Sequence, residues 1–299
     1  MTDRVTKRVN FRILGPLRAG VRQGPVDLGD GRARLVLATL LLEAGRVVPV
    51  ERLVEAVWDE DPPASARPQV AIAVSSLRRA FRDAGCTHRV IETAQPGYRV
   101  PLGADTVDAV TAERRIAAAR AAVRAGRHHE AAERFGAALA LWDGPVLAGL
   151  ERALILAAAL RWEELRLTVT EEAAEVELAL GRHHELVGRL MGPVIEHPFR
   201  ERLRVLLMLA LVRSGRQGEA LEVYRDARRI LSRELGLEPG RELRELYQAI
   251  LSDDLSIHRR PFTAPEAGPP STSRGCTGAV PRSRSRRWRG LGGRGRSPL

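Results

Sequence analysis

The feature that most restricts the fold of this 299-residue chain is a turn written three times. Gly126-Arg127-His128-His129-Glu130-Ala131, Gly181-Arg182-His183-His184-Glu185-Leu186 and Gly215-Arg216-Gln217-Gly218-Glu219-Ala220 share an opening Gly-Arg and a glutamate four residues after the glycine. Glycine takes the left-handed conformation that ends a helix at little cost. The glutamate then falls in the first turn of the next helix, where the helix dipole favours a carboxylate. The second and third copies lie 34 residues apart, the period of a tetratricopeptide unit, and the first two lie 55 apart, so an irregular unit intervenes.

Apolar spacing predicts helices on both sides of these turns. Ala131, Phe135, Ala138, Leu139 and Trp142 recur at steps of three and four. So do Leu203, Leu206, Leu207, Ala210 and Leu211 before the third turn, and Ala220, Leu221, Tyr224 and Ile230 after it. Pro198 and Pro239 stand where a helix can begin. Paired antiparallel helices stacked into a short solenoid are expected from about Val107 to Asp254. The His-His pairs of the first two turns are read as solvent-facing, because adjacent helical side chains point about 100° apart and cannot share one ion. No metal site is expected.

Residues 9–102 read differently. Val9-Asn10-Phe11-Arg12-Ile13-Leu14, Gly15-Pro16 and Val26-Asp27-Leu28 predict a small antiparallel sheet. Leu35 to Leu42 predicts a buried first helix closed by Gly45, and Val50 to Trp58 a second. Asp61-Pro62-Pro63 then breaks the chain, and Ser65 is placed to cap a third helix. On that helix Val70, Val74, Leu77 and Phe81 form one stripe, the face to be buried. The opposite face carries Pro68, Ile72, Ser75, Ser76 and Arg79, with Gln69 on its flank. Ile72 is an apolar residue facing away from its own core, fit for a protein contact or for a thymine methyl group in a major groove. Arg67, Arg78, Arg79 and Arg82 are placed to touch phosphates.

Arg89 to Thr93, a turn through Gln95-Pro96-Gly97, and Tyr98-Arg99-Val100 predict a hairpin directly after this helix, with Arg89 and Arg99 as candidate contacts. A helix in the major groove with a hairpin reaching the adjacent backbone is how a winged helix grips a duplex.

Charge agrees only in part. The net charge is +11, but residues 1–103 hold 16 basic and 11 acidic side chains, residues 104–257 hold 22 and 25, and residues 258–299 hold 10 arginines and one acid, Glu266. The basic surplus therefore sits at the two ends. The Pro/Gly/Ser/Arg-rich segment 258–299 has too little apolar content to build a core and is expected to be disordered. Asp59-Glu60-Asp61 and Glu171-Glu172 are read as solvated surface. Cys86 and Cys276 are read as two thiols in a reducing compartment. No apolar run is long enough to span a membrane, the start MTDRVTKRVNFRILG has no apolar signal core, and neither a cofactor loop nor a catalytic motif such as GxSxG or HExxH occurs. No enzymatic activity, cofactor or catalytic residue is expected.

The order LGPL, then RARLVLATLLLEAGRVVPVERLVEAVWDEDPPASARPQVAIAVSSLRRAF, then GYRV resembles the OmpR-type winged helix. With GPVLAGL, RWEELRL, ALGRHHELV, HPFRERL, MLALVRSGRQGEALEVYRDARRIL and ELGLEPGRELRELYQAIL, the chain is similar over about residues 9–252 to the Streptomyces antibiotic regulatory protein family. The fold expected is mainly α with a small β component. It comprises an N-terminal winged helix-turn-helix (1–103), a tetratricopeptide-like all-α bacterial transcriptional activation domain (104–257) and the tail (258–299). The resemblance implies a cytoplasmic, nucleoid-associated activator of secondary-metabolite genes that binds direct repeats in double-stranded DNA. It further implies contact with RNA polymerase holoenzyme, with a side-by-side dimer on tandem half-sites. The DNA-binding set expected is Arg67, Gln69, Ile72, Ala73, Ser75, Ser76, Arg78, Arg79, Arg89 and Arg99. Relatives usually carry arginine where Ser76 stands, a polar residue at Pro68 and often an aromatic at Ala73, which implies an affinity or a preferred site different from the family's. With no receiver segment or P-loop, the chain reads as the family's short form. The rival expectation is a helical adaptor that binds only protein, its winged helix having lost specific DNA binding.

Overall fold

A computed structural model describes residues 8–22, 24–103 and 105–254. Residues 258–299 and Cys276, for which expectations were stated, lie outside them.

The chain opens with three short strands, β1 (Asn10–Arg12), β2 (Arg18–Val21) and β3 (Gly24–Pro25). The predicted third strand at Val26–Leu28 thus comes two residues early, although the Val26 amide still donates to the Ala19 carbonyl at 2.8 Å. Helix α1 (Gly31–Leu42) follows, its first turn capped by the Asp30 carboxylate accepting from the Ala33 amide at 2.9 Å. Strand β4 (Val48–Pro49) leads straight into α2 (Val50–Trp58). Helix α3 spans Ala66–Asp83. Ser65 precedes it without capping it through its side chain, a correction to the sequence reading: its hydroxyl instead accepts from Gln69 Nε2 at 2.7 Å.

Strands β5 (Glu92–Ala94) and β6 (Gly97–Arg99) form the expected hairpin, turning through a cis Gln95–Pro96 bond. Strand β4 pairs with β6, giving a three-stranded sheet in the order β4-β6-β5. Gly97 is required there, because a Cβ would overlap the Val48 carbonyl of the crossing strand. Strand β7 (Thr106–Val107) then returns to pair parallel with β1, so the N-terminal sheet reads β3-β2-β1-β7.

From there the described chain is helical: α4 (Asp108–Arg124), α5 (His128–Leu139), α6 (Ala153–Ala179), α7 (His183–Glu196), α8 (Glu201–Arg213), α9 (Gln217–Leu235) and α10 (Arg241–Leu251). The three repeated turns separate α4 from α5, α6 from α7 and α8 from α9. Their glycines have φ of 71°, 76° and 74°, the left-handed conformation that the sequence demanded. Glu130, Glu185 and Glu219 lie in the first turns of the helices that follow. Helices α8 and α10 begin two or three residues beyond Pro198 and Pro239 rather than at them.

The buried side chains fall into two clusters that divide along α6 rather than at the chain segment joining winged helix to helices. Ile155, Trp162, Val169 and Val176, spaced seven apart and so nearly in line on the helix, join a first cluster running from Val9 through α1, α2, α3 and the hairpin to α4 and α5. Leu167, Ala174 and Leu178 belong to a second cluster with α7, α8, α9 and α10. In the first, Phe11 of β1 meets Phe81 of α3 edge-on at 5.7 Å, and Trp142 meets Trp162 at 6.1 Å. In the second, Tyr224 stacks on Tyr247 at 4.0 Å.

Polar groups bind the first cluster together over long sequence separations. The Asp108 carboxylate at the start of α4 accepts from the amides of Ile13 (2.9 Å) and Leu14 (3.0 Å). Burial pushes its carboxyl above the usual range despite these bonds. Asp105 accepts from the Val9 amide at 2.8 Å and meets His88 Nε2 at 2.8 Å. The Leu147 amide donates to the Gly15 carbonyl at 2.7 Å. Asp59, just beyond α2, reaches Arg152 at 3.4 Å and the Ala153 amide at 3.3 Å. These contacts fasten the winged helix to α4 and α6.

Glu171 corrects a second expectation. It is buried and bound by Arg200 at 2.8 Å, and its neighbour Glu172 is bound by Arg120 at 2.9 Å. With Glu175 facing Arg202 at 2.9 Å, these pairs tie α6 to α4 and α8. Among the described residues no helix is long and apolar enough to cross a membrane.

Candidate nucleic-acid interface

Helix α3 has two unlike faces. Ala66, Val70, Ala73, Val74, Leu77 and Phe81 are buried, all but Ala66 within the first cluster, on a helix that packs against α1 and α2. Pro68, Ala71, Ile72, Ser75, Ser76 and Arg79 are exposed, Ile72 to 67%. Leaving an isoleucine that open forgoes roughly 1 to 2 kcal/mol of burial, so the position gains nothing for the fold of this chain.

Ala73 does not belong to the open face. It is 7% exposed and packs with Val70 and Val74 in the first cluster, bordering the groove beside Ile72 and Ser76 only at its edge. The buried face exceeds the stripe read from the sequence by two small residues, Ala66 and Ala73.

The hairpin stands beside α3 because Arg78 holds it there. Its Nε donates to the Ile91 carbonyl and its Nη2 to Thr93 Oγ1, both at 2.9 Å, and its guanidinium lies 5.7 Å from the centre of the Tyr98 ring. Thr93 and Tyr98 are cross-strand partners, so one arginine grips both strands on the side facing the helix. Arg78 was expected at a phosphate; in the structure its Nε and Nη2 serve the hairpin.

The other expected contacts differ in how far their side chains are already engaged. Arg67 pairs with Glu51 of α2 at 2.6 Å and Arg79 with Asp83 at 3.6 Å; all four side chains are largely exposed. Exposed pairs of this kind contribute under about 1 kcal/mol, so a phosphate displaces them cheaply. Arg99 pairs across the hairpin with Glu92 at 2.8 Å and is less open. Arg89, like Arg82, is exposed near the hairpin's base. Gln69 is used at both ends: its Nε2 donates to Ser65 and its Oε1 accepts from Arg32. Arg32, in the first turn of α1, borders the same groove with Asp30, Ile72 and Ser76, and sequence reasoning missed it. Its only signal was the Gly-Asp-Gly-Arg cap preceding the first apolar run. Ser75 and Ser76 are exposed on the open face, where the sequence placed them.

Among the described residues no three His, Cys, Asp or Glu side chains gather where they could hold a metal ion. What the surface offers is a convex helix with an uncharged centre, arginines at its margins and a hairpin fixed alongside.

Comparison with known proteins matches two family models in succession. Residues 25–100 match "Transcriptional regulatory protein, C terminal" and residues 107–251 match "Bacterial transcriptional activator domain". The regulatory protein AfsR of Streptomyces griseus is 39% identical over 251 residues, covering 84% of this chain and 25% of that protein. The regulatory protein DnrI of Streptomyces peucetius is 35% identical over 269 residues, covering 87% of this chain and 98% of that protein. A solved structure of Mycobacterium tuberculosis EmbR in complex with a low affinity phosphopeptide superposes with a TM-score of 0.78 at 35% identity, over 85% of this chain and 68% of that one. The chain thus spans about a quarter of AfsR and nearly all of DnrI.

Proposed function

This chain belongs to the Streptomyces antibiotic regulatory protein family, and from that premise we propose that it is a sequence-specific DNA-binding activator of a secondary-metabolite gene cluster. The observation that carries the reading is the open face of α3, with Ile72 67% exposed beside a hairpin anchored by Arg78, while the valine–leucine seam is packed inside. Residues 1–103 serve DNA and residues 104–257 serve activation, in the cytoplasm at the nucleoid. Helix α3 enters the major groove; Arg67, Arg79, Arg82 and Arg89 meet phosphates, and Arg99 follows when its Glu92 pair yields. Two copies lie side by side on direct repeats, and the helical domain recruits RNA polymerase holoenzyme, as family membership supports.

A gel-shift titration on promoter fragments from neighbouring biosynthetic genes tests this. The expected result is a specific shift that weakens as salt rises, because each neutralised phosphate releases counterions. One observation favours the rival, an adaptor that binds only protein: Gln69 and Arg78 are committed to contacts within the chain. No shift beyond that on unrelated DNA decides for the adaptor.

A further inference from the structure

Resting on the DNA-binding reading, we infer that this protein reads thymine methyl groups through Ile72, and that methyl contact rather than bidentate hydrogen bonding selects its site. Bidentate readout needs arginine or lysine for guanine, or asparagine or glutamine for adenine, projecting from the centre of the groove-facing helix. The centre of α3 has none of these free for it. Positions 68, 71, 72, 75 and 76 are Pro, Ala, Ile, Ser and Ser. The one amide nearby, Gln69, donates to Ser65 at 2.7 Å and accepts from Arg32, and Arg78 has turned its Nε and Nη2 to the hairpin. Of the arginines that remain exposed, 67, 82 and 89 sit at the helix ends and the hairpin base, where phosphates run, while Arg79, two turns on from Ile72 along the open face, leans toward Asp83 in the last turn. What the centre can discriminate with is apolar surface. Serine hydroxyls bond to several base edges alike, whereas a buried methyl distinguishes thymine from every other base of ordinary DNA. Ile72 is the most exposed large apolar residue of the described winged-helix segment, and its neighbours Ala71 and Ser75 leave room for a methyl group to reach it.

The test uses the full chain and a random-sequence duplex library. After selection, the enriched duplex is resynthesised with each dT replaced in turn by deoxyuridine, which removes one methyl and leaves pairing intact. At one or two positions the affinity falls roughly four-fold, the effect of uncovering about one methyl group. In I72A the dT duplex binds more weakly and the uracil substitution at those positions changes nothing further; I72V retains part of the discrimination. Since residue 72 is a surface position, both variants fold. If the enriched duplex binds equally well with uracil throughout, or if I72A loses the same factor on both duplexes, thymine reading by Ile72 is overturned while DNA binding stands. If no sequence is enriched, the DNA-binding reading itself fails and this inference with it.

Discussion

The two buried clusters are built by different rules. The second, from the latter half of α6 through α10, is assembled by helices that pack on the next in sequence or the next but one, and its turns repeat. The first joins residues as far apart as Val9 and Val176 and depends on single polar contacts such as Asp108 to Ile13, 95 residues apart. A local core propagates from neighbour to neighbour, as in repeat proteins. A non-local core stands or falls together, and here it contains the surface proposed to bind DNA.

The strongest way to break this contrast is Phe135→Ala. Phe135 lies on α5, far in sequence from α3, yet is buried in the first cluster. The substitution is expected to cost roughly 3–5 kcal/mol, and amide hydrogen exchange of α3 is expected to speed up together with that of α4 and α5. Unchanged protection in α3 would split the first cluster into independent parts.

Next in size is Glu175→Gln, at the junction of the two clusters. Burial raises the Glu175 carboxyl from 4.5 to about 7 against the opposing pull of Arg202. The folded state therefore holds this proton more tightly than the unfolded chain does. The stability it contributes is full below about pH 4.5 and is lost as pH rises through 7. The glutamine variant is expected to be more stable than the parent at pH 8, by up to about 3 kcal/mol, with a flatter dependence between pH 5 and 8. Thermal melts at those two pH values measure it, and an equal pH dependence in both proteins refutes it.

Arg78→Ala probes the non-local side of the comparison. Loss of its two bonds to the hairpin is expected to cost about 1–2 kcal/mol. It should also weaken DNA binding on every sequence without altering the salt slope, whereas Arg79→Ala or Arg89→Ala lowers the slope by roughly 0.9. A reduced slope in the Arg78 variant would return that residue to the phosphate set. The smallest effect belongs to the local core. Gly215→Ala meets no atom within 4 Å, so only the left-handed backbone opposes it, at about 1 kcal/mol. Exchange should rise in α8 and α9 and stay unchanged in α3.

The same division explains what could be read from the sequence. The repeated turns, the bounds of α2, the buried stripe of α3 and the hairpin all depend on chemistry within a few residues, and each was legible. Illegible were the properties decided by a distant partner. Nothing near Arg78 announces that Thr93 will occupy its guanidinium, and nothing near Glu171 announces Arg200. The pairing of β4 with β6 and of β7 with β1 likewise depends on β4 and β7, segments of two residues each that carry no pattern of their own. Ala73 was misplaced because a small residue at the edge of a stripe has no periodic signature to set its side. Of the candidate site, the face was readable, while the division of its cations between solvent and protein was not.

Because Asp108 and Asp59 rivet the winged helix to α4 and α6, a duplex held as proposed meets the molecule at a fixed azimuth. A regulator on a slack tether could tolerate a shifted operator, since its second module would swing back to the polymerase. On the proposed reading this chain carries its activating surface at a set angle. Adding about 5 bp between operator and promoter, half of a 10–10.5 bp helical turn, would therefore present that surface to the wrong side of the double helix, and a full turn would bring it round again.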